Sequence, residues 1–553
     1  MVKLDSFMKK DRFVFLHHAD PLTVMRLANR RAGHLPRLWR RNAKGLPMCG
    51  FVCLWNIDDK ALAEAMIDKI AHRGPDEVHV TTLADAPVTM AHCRLSIIGT
   101  EDGAQPIRQA GNMLVANGEI YNHADLRAIL GEAAFETASD SETILHLFRS
   151  GRSRWIDRLD GMFAFVLATK DRIIATRDPL GIKPLYVANM GGGAIFASEL
   201  KAFDGVPVDG IEAIPPGHLI DSRDGWRQWY RTPQGAASAE PGFDIGRASR
   251  ELRLVLEAAV AKWMVADVEV GSFLSGGLDS SIIAAIAQKV RLAQGLGPLK
   301  TFAVGTDGSP DLRAARAVAA HIGADHHEAV FTAQDVVGAL PHVIYHLESA
   351  DVDLVRSALP TLFAARLARA QVKAVLTGEG ADELFAGYTY HHGYADDPRA
   401  LADELTRSLG TMHNINLQRV DRVTMSESLE ARTPFLDRDL IDFAQSIPAE
   451  LKMRHTDPEA RDATGPTTEK WILRKACEDL LPADLVWRKK AQFDEGSGTV
   501  DALSGALASL IDGPVNRQSE GALYERILGE TYADPDRILA AAGTWEADRV
   551  LGG

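Results

Sequence analysis

Near the middle of the chain the hydrophobic pattern changes, and that change limits the possible folds more than any single residue. Before Tyr230, apolar runs are short and are separated by Gly and Asn turns, as in MLVANG (Met113 to Gly118), MFAFVLAT (Met162 to Thr169) and RIIATRD (Arg172 to Asp178). Such runs predict strands. Ala61 to His72 and Ser141 to Arg149 read as helices; in the second, Ile144, Leu145 and Phe148 share a face. Residues Arg231 to Gly246, RTPQGAASAEPGFDIG, have the composition of a linker. Beyond them the strands Val268 to Leu274, Thr301 to Gly305 and Val372 to Gly378 alternate with helices, among them Ala248 to Ala266 and Ser280 to Val290. That alternation predicts a parallel sheet with ligands at the strands' C-terminal ends. The fold class expected is therefore α+β followed by α/β: stacked sheets with outer helices over residues 49–230, a linker at 231–246, and an α-rich domain with a parallel sheet over 247–553.

Composition narrows the function. A net charge of −14 argues against a broad nucleic-acid surface. No apolar run approaches the roughly 18–20 residues that span a bilayer. The four cysteines, Cys49, Cys53, Cys93 and Cys477, follow no zinc or disulfide spacing, which points to the cytoplasm. The first 47 residues stand apart, with 11 Lys and Arg against three acids. With Met48 directly before Cys49, residues 1–48 read as an extension, either ahead of an internal start or removed as a propeptide.

Two segments suit a nucleotide. Ser275-Gly276-Gly277-Leu278-Asp279-Ser280-Ser281 lies where a strand turns into a helix. Its glycines let the backbone approach a polyanion, its amides form an anion nest, and its serines add hydroxyl donors. Asp279 would repel phosphate unless it holds Mg2+. Thr377-Gly378-Glu379-Gly380-Ala381-Asp382-Glu383 repeats the placement, with three carboxylates suited to a metal or an amine. The first motif resembles the signature of the N-type ATP pyrophosphatases, which cleave ATP between its α and β phosphates. The resemblance implies that Phe273, Ser275, Gly276, Gly277, Asp279, Ser280, Val304, Thr377 and Gly378 bind ATP, that Asp279 and Asp382 hold Mg2+, and that Lys490 in Trp487-Arg488-Lys489-Lys490 stabilises charge on the α-phosphate.

The first half carries a second set. Met48-Cys49-Gly50-Phe51 is similar to the start of the class II glutamine amidotransferases, Ntn hydrolases whose N-terminal Cys is the nucleophile and whose own α-amine is the base. His72-Arg73-Gly74-Pro75-Asp76, Arg94, Asn117-Gly118-Glu119 and Asp140 match further segments of that family. The match implies an αββα sandwich. It also implies Cys49 as nucleophile, Asn117 and Gly118 as oxyanion hole, and Arg94, Asn117, Glu119 and Asp140 as glutamine contacts.

From Met48 to about Gly496 the two sets together resemble the glutamine-hydrolysing asparagine synthetases, with Glu430 to Asp437 and Glu469-Lys470 as later matches. The resemblance implies glutamine, aspartate and ATP as substrates, Glu379 as a catalytic residue, no nucleic-acid or membrane partner, and a homodimer as an open assembly. The sequence departs from the family at Asp351-Val352-Asp353-Leu354-Val355-Arg356, where Asp353 and Leu354 replace two threonines beside the aspartate pocket. Two readings of Asp353 stand here: a carboxylate facing the acceptor, or a partner of Arg356. The acceptor is accordingly aspartate or another carboxylate.

Overall fold

The structure is a computed structural model that describes residues 49–83, 86–94, 97–455, 467–488, 496–508 and 510–543. The extension at 1–48 and Lys490 lie outside the described residues.

The first half is built on two six-stranded antiparallel sheets. One runs Glu212–Ala213, Tyr186–Met190, Gly193–Ala197, Gly50–Trp55, Val88–Arg94, Glu77–Thr82. The other runs Gly225–Gln228, His218–Asp221, Ile173–Arg177, Gly161–Ala168, Asn112–Ile120, Ile107–Gln109. Strand side chains alternate between faces, so apolar runs without polar alternation predict burial on both sides. Phe51, Cys53 and Met90 meet Met113, Val115 and Val166 between the sheets. Val52 and Leu54 face Met66 and Ile67 of α1 (Lys60–Lys69). Leu114, Phe163 and Phe165 face Ile144, Leu145 and Leu147 of α2 (Glu142–Arg149). The result is the αββα sandwich.

The second half holds a five-stranded parallel sheet in the order Asp325–Val330, Lys300–Gly305, Val270–Phe273, Ala374–Leu376, Glu430–Arg432. Strand order reverses between Val270–Phe273 and Ala374–Leu376, the place where doubly wound sheets bind ligands. Both glycine-rich motifs follow those two strands. Around the sheet pack α3 (Ile245–Trp263), α4 (Leu278–Ala293), α5 (Ala333–Leu347), α6 (Val352–Ala368) and α7 (Asn416–Ser426). Residues 231–246 run along this half: the amides of Gly235, Ala236 and Ala239 donate to Thr406, Gln445 and Glu450, and Asp244 caps α3. Near the C-terminus, α8 (Arg517–Thr531) buries Leu523, Tyr524, Ile527 and Leu528 in a cluster with α5 and α6. Among the described residues no helix is long and apolar enough to cross a membrane.

The two halves meet through a buried chain of charges. Arg73 sends Nη1 to Glu199 at 2.5 Å and to Asp421 of α7 at 2.8 Å. Lys201 bridges Glu199, at 2.5 Å, to Glu348, at 2.8 Å, and Glu348 accepts from Arg422 at 2.9 Å. Lys183 lies 3.5 Å from both Asp421 and Glu430. Burial works to raise the pKa of Asp421, but Arg73 and Lys183 outweigh it and hold the carboxyl below its ordinary value. Removing one member leaves the others charged, buried and unpaired, which costs far more than the intact network contributes. Asp421→Ala should therefore lower the unfolding free energy by ~3–5 kcal/mol, read from the urea midpoint; an unchanged midpoint contradicts this account of the interface.

Candidate active site

The residues after Val270–Phe273 form a tight turn into α4. Ser275 Oγ lies 3.0 Å from Ser280 Oγ and accepts from the Gly277 amide, while Ser281 Oγ donates to the Gly277 carbonyl at 2.7 Å. The serines thus shape the loop. No side chain caps α4, so its first amides remain directed at whatever sits above them. Gly276 has φ +74°, and a Cβ there would meet the Ala315 amide at 2.5 Å. Gly378 stands so close to the Asp279 side chain that a Cβ would approach its Cβ to 2.8 Å. The two glycine-rich loops are therefore in contact.

Together they line one cavity of about 900 Å3. Phe273, Ser275, Gly277, Asp279, Ser280, Val304, Thr377, Gly378, Glu379 and Asp382 all face it. Gly276 does not; it serves the turn by packing against the Pro310–Ile322 helix.

Five basic residues that sequence reasoning did not assign reach the same cavity: Lys470, Arg419, Arg474, Arg488 and Arg517. Lys470 Nζ sits 2.6 Å from Asp279 Oδ2 and 2.5 Å from Asp382 Oδ1. Burial works against its ammonium, yet the two carboxylates raise its pKa above the ordinary lysine range. Arg419 of α7 bonds Glu379 Oε1 at 2.6 Å and Thr361 Oγ1 at 3.0 Å. Arg488 donates to the Gly276 carbonyl at 3.1 Å and to Asp311 at 3.2 Å; burial pushes the Asp311 carboxyl up to about 6, with Arg488 opposing. Arg517 pairs with Asp353. The segments Glu469-Lys470 and Trp487-Arg488 carried the sequence signal for two of the five. Arg488 stands two residues before Lys490, in the segment that the family resemblance singled out.

The pairing of Asp353 with Arg356 is corrected. Asp353 takes a bidentate contact from Arg517, with Nη1 at 2.7 Å and Nη2 at 2.8 Å, while Arg356 takes Glu520 at 2.9 and 2.5 Å. Both partners come from α8, and each contact pairs a planar guanidinium with a carboxylate through two nitrogens.

The chemistry of the donors suits a divalent cation. Asp279 Oδ1 is buried without a hydrogen-bond partner, and Lys470 supplies one positive charge between two carboxylates. Among the described residues no cluster of three or more His, Cys, Asp or Glu forms a cage of its own, so a cation there would share its ligands with phosphate oxygens.

In the first half, Cys49 precedes Gly50, whose register partner is Cys93, and Arg94 comes next. Arg73 Nε donates to the Cys49 carbonyl at 3.1 Å. His92 lies 3.2 Å from the Ala116 carbonyl and so draws the Arg94 strand to the strand holding Asn117-Gly118-Glu119. Asn117 Nδ2 is a buried donor without a partner. Asp140 Oδ2 accepts from the Ile120 amide at 2.6 Å. Burial raises the pKa of both Glu119 and Asp140; the charges of Asp140 and Glu430 add to the rise at Glu119, and at Asp140 the Ile120 amide opposes it. Glu119 Oε2 has no partner. A buried donor and a pair of under-compensated carboxylates are what a carbonyl oxygen and an ammonium would satisfy. Arg94 itself donates to the Gly99 carbonyl at 2.5 Å.

Both halves match known protein families. Residues 251–400 and 393–550 match the family model of asparagine synthase, and residues 48–218 match that of the glutamine amidotransferase domain. The chain is similar to asparagine synthetase [glutamine-hydrolyzing] 2 of Oryza sativa subsp. japonica, 37% identical over 510 residues that cover 88% of this chain and 82% of the relative. It is 36% identical over 512 residues to asparagine synthetase [glutamine-hydrolyzing] 3 of Arabidopsis thaliana, covering 88% and 84%. With the asparagine synthetase [glutamine-hydrolyzing] of Zea mays it shares 37% identity over 472 residues, covering 82% and 78%.

Glu383 gives the site a pH signature. Burial, with Asp382 beside it, pushes its carboxyl from 4.5 up to about 7, while the Tyr388 hydroxyl at 2.6 Å pulls the other way. The folded protein thus keeps a proton that the unfolded chain releases. The stability carried by that proton is complete at low pH and is lost as pH rises from 4.5 through about 7. Glu383→Gln cannot titrate. Its melting temperature relative to the parent should therefore rise between about pH 5 and pH 7.5 in calorimetry; a constant difference contradicts the assignment.

Proposed function

The chain belongs to the family of glutamine-hydrolysing asparagine synthetases, and on that premise we propose how its residues divide the reaction. It is an ATP-dependent carbon–nitrogen ligase that hydrolyses glutamine and amidates aspartate through β-aspartyl-AMP, giving asparagine, AMP and PPi. Residues 49–230 act as the amidotransferase domain and residues 247–553 as the synthetase domain, with 231–246 between them. The compartment is the cytoplasm, a reading supported by the four free cysteines.

At the first site the Cys49 thiol passes its proton through its own α-amine to the departing nitrogen as the sulfur attacks the side-chain amide carbon of glutamine; ammonia leaves, and water then hydrolyses the γ-glutamyl thioester to glutamate and the free thiol. Asn117 Nδ2 and the Gly118 amide take the developing oxyanion. Glu119 and Asp140 receive the α-ammonium, and Arg94 the α-carboxylate.

At the second site the α4 amides and the loop at 275–281 bind the phosphates, and Phe273 and Val304 flank the adenosine. Asp279 and Asp382 would hold Mg2+, which supplies the positive charge that lets a triphosphate approach these carboxylates. The β-carboxylate of aspartate attacks the α-phosphorus and PPi departs. Lys470 is placed to offset the charge that gathers there. Ammonia then attacks the acyl carbon, Glu379 takes a proton from the attacking nitrogen, and AMP leaves. The observation that carries this reading is the Lys470 ammonium fixed between Asp279 and Asp382 in the cavity lined by both glycine-rich loops.

The test separates the two chemistries. Cys49→Ala should abolish glutamine hydrolysis and glutamine-dependent synthesis while ammonia still supports asparagine formation. Asp279→Asn and Glu379→Gln should each lower ammonia-dependent PPi release by at least ~100-fold, the scale of losing one charge-stabilising group. Glutaminase activity in Cys49→Ala, or full ammonia-dependent synthesis in either of the other variants, would overturn the division.

A further inference from the structure

Aspartate enters the second site with three charged groups, of which one reacts. Its α-ammonium and α-carboxylate must meet complementary charges. Residues on one face of α6, Asp353, Leu354, Ser357 and Thr361, line the cavity, and Arg517 of α8 lines it beside them. Arg356, the positive charge of α6 that the family resemblance puts near the acceptor, is taken by Glu520, a fully buried carboxylate that also accepts from the Tyr524 hydroxyl at 2.7 Å. Arg356 does not reach the cavity wall.

The other arginines on that wall are committed to the interior. Arg419 holds Glu379, Arg474 holds Glu469 and Arg488 holds Asp311, each of these carboxylates being mostly covered. The Arg517–Asp353 pair differs, because its side chains are 55% and 48% exposed. An ion pair in water contributes little to stability, so opening it costs little. The Arg356–Glu520 contact anchors α8 without it.

We propose that Asp353 and Arg517 are the acceptor-recognising pair of this enzyme, Asp353 receiving the α-ammonium of aspartate and Arg517 its α-carboxylate. The proposal rests on the reading that aspartate is the acceptor. An amino acid is a zwitterion, and a carboxylate paired with a guanidinium on the cavity wall presents its charges already in complementary order. The ligand replaces one ion pair with two charge-assisted contacts. Helix α8 thereby completes the acceptor site. It also accounts for the departure at Asp353: a carboxylate that would repel the substrate becomes a contact once its charge is directed at the amine and balanced by Arg517.

The experiment measures ammonia-dependent PPi release with aspartate, with succinate, which lacks the amine, and with β-alanine, which lacks the α-carboxylate. Asp353→Asn should raise KM for aspartate about tenfold or more and erase the preference for aspartate over succinate. Arg517→Gln should raise it as much and erase the preference over β-alanine. KM for ATP should stay within about twofold in both, and melting curves verify folding. In the exchanged double variant, Asp353→Arg with Arg517→Asp, the mutual attraction returns but the order of charges is reversed, so KM for aspartate should stay high. Unchanged aspartate KM in both single variants overturns the proposal. So does recovery in the exchanged variant, which would make the pair a latch for α8 and nothing more. If the parent enzyme releases no PPi with aspartate, the acceptor reading itself fails and the proposal with it.

Discussion

Arg73 and its carboxylate partners hold the molecule together as one device. The guanidinium is fully buried between Glu199 of the first half and Asp421 of the second. Burying charges is expensive, and their worth lies in specifying a single arrangement more than in stability. Here the arrangement fixes both sites. Helix α7 carries Asp421 and Arg422 into the interface, and the same helix sends Arg419 to Glu379 and Asn416 to Glu383. The Glu430–Arg432 strand makes a second link. Arg432 accepts the Thr377 amide through its carbonyl at 2.8 Å, and its guanidinium lies 3.9 Å from Glu119. A shift of α7 or of this strand would move groups at both reacting centres.

That coupling has a chemical use. The ammonia released in the first half is consumed in the second, and water would compete for an acyl-adenylate. A dry, rigid boundary between the centres answers both needs. The hydrophobic core supports it, since Ile97, Ile98, Tyr121 and Met162 of the first half join one cluster with Trp263, Leu376 and Phe435 of the second.

Much of this was legible in the sequence, and the reason is local geometry. A strand, a glycine turn and a helix must be adjacent in the chain, so the loops at 275–281 and 377–383 were readable, as were the double-sided strands of the sandwich. Charges were not. Lys470 finds Asp279 across 191 residues of sequence, and Arg488 finds Gly276 across 212. Neither spacing leaves a pattern. For Asp353 the sequence left two readings open, a carboxylate facing the acceptor or a partner of Arg356, and α8 provided bidentate partners for both residues. The composition of residues 231–246 indicated a linker, but its amides found acceptors on the second half that sequence could not reveal.

The proposed mechanism transfers AMP, and not the terminal phosphate, to the carboxylate of aspartate in the cavity where Lys470 lies between Asp279 and Asp382. Labelling tests that directly. With aspartate carrying 18O in its β-carboxylate, turnover should deliver one labelled oxygen to AMP, because the oxygen that attacks the α-phosphorus stays with it when ammonia displaces the acyl group. Label in inorganic phosphate, or AMP formed without it, would contradict the account.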